Sequence, residues 1–483
     1  RCAHCNNFLN NPSGLRFVRS VFKNRVFKNR GPYFNFPGLS LPTALNAGLW
    51  LDDKLDAMQH NVSLEVADYL ERYPQTKHID VYLNDINGIM RGKRLSVESM
   101  LNLEKGCYFP LSVYSMDHKG KIAAPLDDEP DRLCVPVGGS LRPCSQDPQH
   151  NAQILLTMKE SDGKPCPLEP RVILQNVLAR FHQHGLFPVI APEIEFYLTG
   201  RGTQDPQNQG CFHMDTSTAH AALFDELEQL AHLQRIPLTG IVAEAESGQF
   251  ELNLKHSHRV VEVCDNVLAL RRLTRYVAEK QGLQASFMAK PFSQQSGSGL
   301  HFHFSLNDIH GENVFASPVE ALNSMMRLCI AGQLALMPAS IAILAPGVNA
   351  FRRLRKNLTE PLFNSWGYNT RSAALRIPCS DDHNRRIEYR LAGADANPYL
   401  VVATLLSGML YGLENFDEQD LPEPQQDGPD LPLFQQEAIE TFARCQYLTD
   451  SLGEAFSQQW VACKLSELDW FESIVTREES SLA

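Results

Sequence analysis

"APEIEFYL" (191–198) is the stretch whose reading decides the fold. An apolar, strand-like run here carries Glu193 and Glu195 two positions apart. On a strand, side chains at i and i+2 share a face. The two carboxylates therefore stand side by side, about 7 Å apart. Like charges that close repel, and each raises the other's pKa unless something positive lies between them. The rest of the chain has to supply a cation.

Three other segments repeat the pattern. "GSGLHFHFSL" (297–306) puts His301 and His303 on one strand face and Phe302 and Phe304 on the other. "RRIEYRL" (385–391) puts Arg386, Glu388 and Arg390 on one face, with Ile387 and Tyr389 opposite. "EAESGQFEL" (244–252) brackets a glycine turn with Glu244 and Glu251. A sheet whose apolar face packs on helices and whose polar face lines a cavity gives this alternation. Each motif alone is weak, and a lone His301 reads as a core histidine. Together they supply five carboxylates and a histidine with guanidinium groups beside them. Clustered carboxylates in a partly closed site need a divalent cation. Mostly oxygen ligands select Mg²⁺ or Mn²⁺. Carboxylate-held metals beside arginines suit anionic substrates and phosphoryl transfer. GxxxxGK[ST] does not occur, so this is not a P-loop protein.

The 483 residues have the composition of an ordinary globular protein. A formal net charge of -12 disfavours nucleic acid and anionic membrane surfaces as partners. The longest apolar stretch, "LALMPASIAILAP" (334–346), is short and broken by prolines, so no transmembrane helix is read. Twelve cysteines without framework spacing read as reduced thiols of a cytoplasmic protein. Cys2 and Cys5 form a CxxC, but no second pair follows at zinc-site spacing. The first fifty residues hold seven basic residues and no acidic one, and residues 1–60 read as a disordered leader.

"SLEVADYLERYP" reads as an amphipathic helix stopped by Pro74. "HIDVYLNDINGIMRGKRLSV" (78–97) reads as a hairpin turning at Asn87-Gly88, the start of a small α+β unit over 61–162. "LEPRVILQNVLARFHQHG" opens a helix with Pro170 in its first turn and Gly185 after its last. Strands then alternate with helices through 163–483. Long helices are expected at 259–281, 318–337 and 397–414.

The series "DINGIMRGKR", "APEIEFYL", "EAESGQFELNL", "FMAKPFSQQSGSGLHFHFSL", "NTRSAALRIP" and "RRIEYRLAGADANPYL" resembles glutamine synthetase over roughly residues 65 to 475, in that family's order and spacing. The resemblance implies an α+β fold: an N-terminal β-grasp domain, then a catalytic domain whose antiparallel sheet is flanked by helices. It also implies rings, often dodecamers, with each active site between subunits. By the same resemblance, Glu195, Glu244 and Glu251 match the ligands of a first metal ion, and Glu193, His301 and Glu388 those of a second. His303, Ser305 and Arg386 match nucleotide contacts. Arg353 and Arg390, with the backbone of Gly297, match the grip on substrate glutamate. Arg371 and Arg376 match phosphate-contacting arginines. The implied chemistry is ATP-dependent: the γ-carboxylate of L-glutamate is phosphorylated, an amine attacks the γ-glutamyl phosphate, and ADP and phosphate leave.

The departures concern the amine. Where glutamine synthetase proper carries an acidic latch for ammonium, this chain has "YFPLSVYSMD" (108–117), with Pro110 in place of the aspartate. The flap loop reads "RRLRKNLTEP" (352–361), with Thr359 at the glutamate position and Glu360 one place later. The asparagine usual before "GSG" is Ser296. Within the family the chain more closely resembles the γ-glutamylpolyamine synthetases, γ-glutamylputrescine synthetase above all. The expected reaction is ligation of glutamate to putrescine or a similar amine. A glutamine synthetase using ammonium, a ligase for another amine, and a non-catalytic protein on this fold are the alternatives. All six metal positions hold competent ligands, which weighs against the last. Replacing Glu388 by alanine is expected to abolish activity with little loss of fold.

Overall fold

The computed structural model describes residues 61–481 apart from 124–129, 201–211, 215–217, 319–320, 356–360, 362, 418–419, 422 and 425–427. The basic leader, Cys2, Cys5, Thr359 and Glu360 lie outside the described residues.

The chain enters through helix α1 (Val62–Arg72), capped by Asn61, whose side chain accepts from the amides of Ser63 and Leu64. It then forms a six-stranded mixed sheet. β1 (His78–Asn84) and β2 (Met90–Ser96) make the expected hairpin, with Gly88 at φ 73° in the turn. β1 also pairs in parallel with β6 (Asn151–Met158). β4 (Asp131–Pro136) lies between β6 and β3 (Cys107–Pro110), and β5 (Arg142–Pro143) pairs with β6.

Helix α2 (Pro170–Gln183) opens with Pro170 at its first turn, where a missing N–H costs nothing. The second sheet follows. β7 (Phe187–Thr199) is its long central strand. On one side β7 pairs antiparallel with β9 (Gln249–Leu254), which pairs with β8 (Leu238–Ala243). On the other it pairs with β11 (Leu300–Asn307), followed by β14 (Ile387–Tyr389), β13 (Leu375–Ile377) and β12 (Trp366–Tyr368). β10 (Gln284–Ser286) pairs with the end of β7. Ile190, Ile194, Phe196, Leu252, Phe302, Phe304 and Ile387 are buried, the apolar face that the alternation requires. The architecture is α+β, with helices α3 (Ala221–Leu233), α4 (Val260–Lys280), α5 (Ser324–Leu344) and α7 (Pro398–Asn415) around the sheet.

Two expectations are corrected. The helix expected at 318–337 is α5, which begins at Ser324 and runs through Pro338 to Leu344. It is long and apolar enough to cross a membrane by length and composition, contrary to the reading of 334–346 as too short and broken. Its apolar window is 83% buried within the protein, as a core helix requires. Packing outweighs the proline. A Cβ on Gly332 would lie 2.2 Å from the Gly408 carbonyl oxygen, and one on Gly412 would lie 1.9 Å from the Leu328 carbonyl oxygen. α5 and α7 therefore meet backbone to backbone at glycines, a contact no other residue type allows. Short helix α6 (Val348–Arg353) follows, and the chain ends in α8 (Gln435–Ala443), α9 (Gln446–Leu452), α10 (Glu454–Glu472) and α11 (Arg477–Ser481).

Candidate active site

Register turns the separate motifs into one site. His301 stands opposite Glu193, and Glu195 opposite Glu251. His303 stands opposite Glu388, which stands opposite Arg376. Directly opposed residues share a face and lie close enough to interact. The polar face of four adjacent strands thus carries a band of carboxylates and imidazoles, ending in arginines at β13 and β14.

One ligand atom each from Glu193, His301 and Glu388 lie within 4.8 Å of one another. The same holds for Glu195, Glu251 and His301. The structure therefore brings together five of the six expected ligands, with His301 between two groups. Its Nδ1 is 3.9 Å from Glu193 Oε2 and 3.9 Å from Glu195 Oε1. Glu244, on the turn before β9, is not in either group, but its charge acts on Glu251.

The electrostatics differ from one end of the band to the other. Burial and the neighbouring charges of Glu193, Glu195 and Glu244 push the Glu251 carboxyl up to about 9. Burial opposes ionisation of Glu193 as well, yet hydrogen bonds and electrostatic attraction from His301 and His303 hold it well below the usual carboxylate range. His303 Nε2 is 2.9 Å from Glu193 Oε1. Burial is also the largest influence on Glu388, overcome by Arg390, His303, His301 and Arg376, so its carboxyl is lowered. Arg376 Nη1 donates to Glu388 Oε2 at 2.6 Å, and Arg390 Nη1 donates to the other oxygen. The Arg-flanked end is balanced, whereas at the other end Glu195 and Glu251 face each other beside His301. A hard divalent cation fits that donor set.

The backbone makes room for this arrangement. The amide of Gly299 donates to Glu195 Oε2 at 2.8 Å. A Cβ on Gly299 would lie 2.5 Å from His301 Nε2. A Cβ on Gly297 would lie 2.7 Å from Arg353 Cγ. Arg353 is buried, and its Nη1 and Nη2 donate to the carbonyls of Leu391 (2.9 Å) and Arg390 (3.2 Å). Arg386 Nε donates to His303 Nδ1 at 3.2 Å, so two of the expected nucleotide contacts touch each other. Ser305 is on the same strand, one alternation beyond His303 and half-buried. Arg371 lies on the exposed turn between β12 and β13, with no contact to the carboxylates among the described residues.

Sequence reasoning passed over four residues of this site. Asn253 donates to Glu251 Oε1 at 3.1 Å. Gln249 donates to the Gly297 carbonyl at 2.8 Å. Tyr197 donates to the Ser296 carbonyl at 2.9 Å. Glu246 accepts from the amide and the hydroxyl of Ser296. The signal for three of them was the same alternation. Tyr197 follows Glu193 and Glu195 on one face of β7, and Gln249 and Asn253 flank Glu251 on one face of β9.

The chain is similar to known proteins. The family model described as the glutamine synthetase catalytic domain matches residues 167–482. Gamma-glutamylputrescine synthetase PuuA of Escherichia coli (strain K12) is 45% identical over 441 residues, covering 86% of this chain and 93% of that protein. A glutamate–isopropylamine ligase of a Pseudomonas species is 29% identical over 374 residues, covering 73% of this chain and 81% of the ligase. Among solved structures, apo GmaS without ligand superposes with a TM-score of 0.74 at 24% identity, covering 86% of this chain and 98% of that one, a likeness of fold. With the catalytic-domain match spanning well over half of its residues, the chain belongs to the glutamine synthetase family.

Proposed function

We propose that this protein is an ATP-dependent ligase that joins the γ-carboxylate of L-glutamate to an amine, putrescine or a similar polyamine. The route is through γ-glutamyl phosphate, with release of ADP and phosphate. The observation that carries the reading is the carboxylate–imidazole band on the sheet face, in a chain 45% identical to a γ-glutamylputrescine synthetase. Glu193, Glu195, Glu244, Glu251, His301 and Glu388 would hold two or more Mg²⁺ or Mn²⁺ ions, which would supply positive charge against the phosphates.

The chain's own residues do the rest. Arg376 and Arg390 keep Glu388 ionised as a ligand, and their positive charge would stabilise the negative charge that develops on the transferred phosphoryl group. Arg371 joins them from its exposed turn. His303, Ser305 and Arg386 receive the nucleotide. Arg353, Arg390 and the Gly297 backbone hold glutamate. Fixing both reactants in line on a rigid sheet supplies much of the rate. Phosphorylation turns the poor leaving group of a carboxylate into a good one before the amine attacks.

A division at residues 162/163 into a β-grasp domain and a catalytic domain is part of this reading, supported by the mixed sheet over 78–158 and by a catalytic-domain match beginning at 167. So is a ring-shaped homo-oligomer, likewise on family grounds. A second reading, in which ammonium or another amine is the acceptor, draws on the likeness to an isopropylamine ligase. Mass spectrometry of the product from ATP, Mg²⁺, glutamate and putrescine tests the first reading. The expected product is the γ-amide of glutamate with one putrescine nitrogen. ATP consumption with no such adduct overturns it.

A further inference from the structure

Glu246 is a carboxylate that the metal scheme leaves unused. It lies in the turn between β8 and β9, two residues after Glu244. Its Oε1 accepts from the amide of Ser296 at 3.1 Å and from the Ser296 hydroxyl at 3.1 Å. The Ser296 carbonyl accepts from Tyr197 at 2.9 Å. Every polar group of Ser296 is therefore engaged within the protein. Serine stands here where the family resemblance leads one to expect asparagine, and its side chain is turned to Glu246.

The segment that follows is held at every residue. Gln249 donates to the Gly297 carbonyl, the Ser298 amide donates to the Ala289 carbonyl at 2.9 Å, and the Gly299 amide donates to Glu195. The side chain of Lys290 reaches round to the Gln295 carbonyl. Arg353 packs on Gly297 with no room for a Cβ. Ser296 to Gly299 thus forms a strap clasped at one end by Glu246 and at the other by Glu195, a span of no more than about 10 Å. The clasp at Glu195 is a proposed metal ligand, whereas the clasp at Glu246 is not.

We propose that Glu246 is a positioning residue for glutamate: by clasping Ser296 twice, it sets the Gly297 backbone and the face of Arg353 against which the amino-acid substrate lies. This rests on the reaction proposed above. A carboxylate accepting two donors at one oxygen is a charge-assisted anchor, stronger than a neutral one and strict in geometry. Its loss frees the strap's first residue while leaving the carboxylates of β7 and β9 in place.

The test is steady-state kinetics on the full chain with glutamate, ATP, Mg²⁺ and putrescine varied in turn, for Glu246→Ala, Glu246→Gln, Ser296→Ala and the alanine pair. Glu246→Ala is expected to raise the glutamate KM about tenfold or more, as loss of a charge-assisted anchor does, and the ATP KM less than about twofold. Glu246→Gln is expected to recover most of the loss, because its amide oxygen accepts the same bonds. The alanine pair is expected to be no worse than Glu246→Ala alone, since both changes break one contact. Ser296→Ala carries the same prediction in smaller measure should Glu246→Ala fail to fold. An unchanged glutamate KM in both Glu246→Ala and Ser296→Ala overturns the proposal. So does a rise confined to the putrescine KM with Gln as damaging as Ala, which would make Glu246 a charge for the amine. Wild type assayed alongside separates the two readings: no glutamate-dependent turnover there overturns the proposed reaction, whatever the variants do.

Discussion

Glu388 is 1% exposed and lies between Arg376 and Arg390. Removing a carboxylate from such a position takes away the shared partner of two half-buried guanidinium groups, at a cost of about 1–3 kcal/mol. The expectation that Glu388→Ala leaves the fold nearly intact is revised accordingly, and Glu388→Gln is the better probe of the chemistry. It keeps the volume and an acceptor oxygen but loses the charge that holds a divalent cation. Phosphoryl transfer should fall by about 100-fold or more, an oxyanion-scale effect. Thermal melts of the two variants should differ, with alanine the lower. A glutamine variant of full activity would remove Glu388 from the metal site. The pairing of ligands shows where residue-level reading stops. Alternation placed Glu193, Glu195, His301 and Glu388 on the polar sides of their strands, and the structure brings these side chains close to one another. That His301 lies between two carboxylate groups follows from the register of β7 against β11 and β9. Register is set by long-range pairing, and no local signal carries it.

At the scale of elements, the strands were legible because one face of each is apolar and the other charged. The helix limits were less so. Pro338 marks a helix end by every local rule, yet α5 passes through it because the contact with α7 keeps the helix buried. Glycines make that contact, so Gly412→Ala, whose Cβ would sit 1.9 Å from a carbonyl oxygen, should separate the helices. A loss of about 3 kcal/mol or more, on the scale of core overpacking, is expected in denaturant unfolding. An unchanged midpoint would mean that the helices are not in backbone contact. The start of α2 carries a pH-dependent feature. Glu169 is buried there, accepting from the Met158 amide at 2.8 Å and from Thr157 Oγ1 at 3.0 Å. Burial, outweighing these bonds and Arg171, pushes its carboxyl up from 4.5 to about 7. The folded state then binds a proton that the unfolded state has released. Its contribution to stability is complete below about pH 4.5 and is lost as pH rises through about 7. Glu169→Gln should flatten the melting temperature over that window and raise it at pH 8. A slope unchanged by the substitution would assign the pH dependence elsewhere.

Over the whole molecule, the first sheet is tied by buried polar contacts to the helices that pack around the second. Asn84 donates to the Tyr399 hydroxyl at 3.1 Å, and Tyr399 donates in turn to Asp265, which pairs with Arg171 at 3.1 Å. Asn397 donates to the Ile86 carbonyl at 3.0 Å, and buried Lys464 donates to Asn87 at 2.6 Å. The hairpin turn at 85–88 is thereby held by residues more than 300 positions away in the chain. Calorimetry should show the two sheets unfolding together, and Asp265→Ala, which strands Arg171, should lower stability by about 3–5 kcal/mol. A separate early transition for the first sheet would contradict this. None of these ties was legible in the sequence, because each joins residues whose local surroundings give no reason to meet. The functional account predicts a property of the entire protein: turnover that needs glutamate and prefers a diamine. The most direct measurement is phosphate release by purified protein with ATP, Mg²⁺ and glutamate, comparing putrescine, ammonium and no amine. Strong preference for putrescine is the predicted result. Preference for ammonium, or release no greater than without amine, would contradict it.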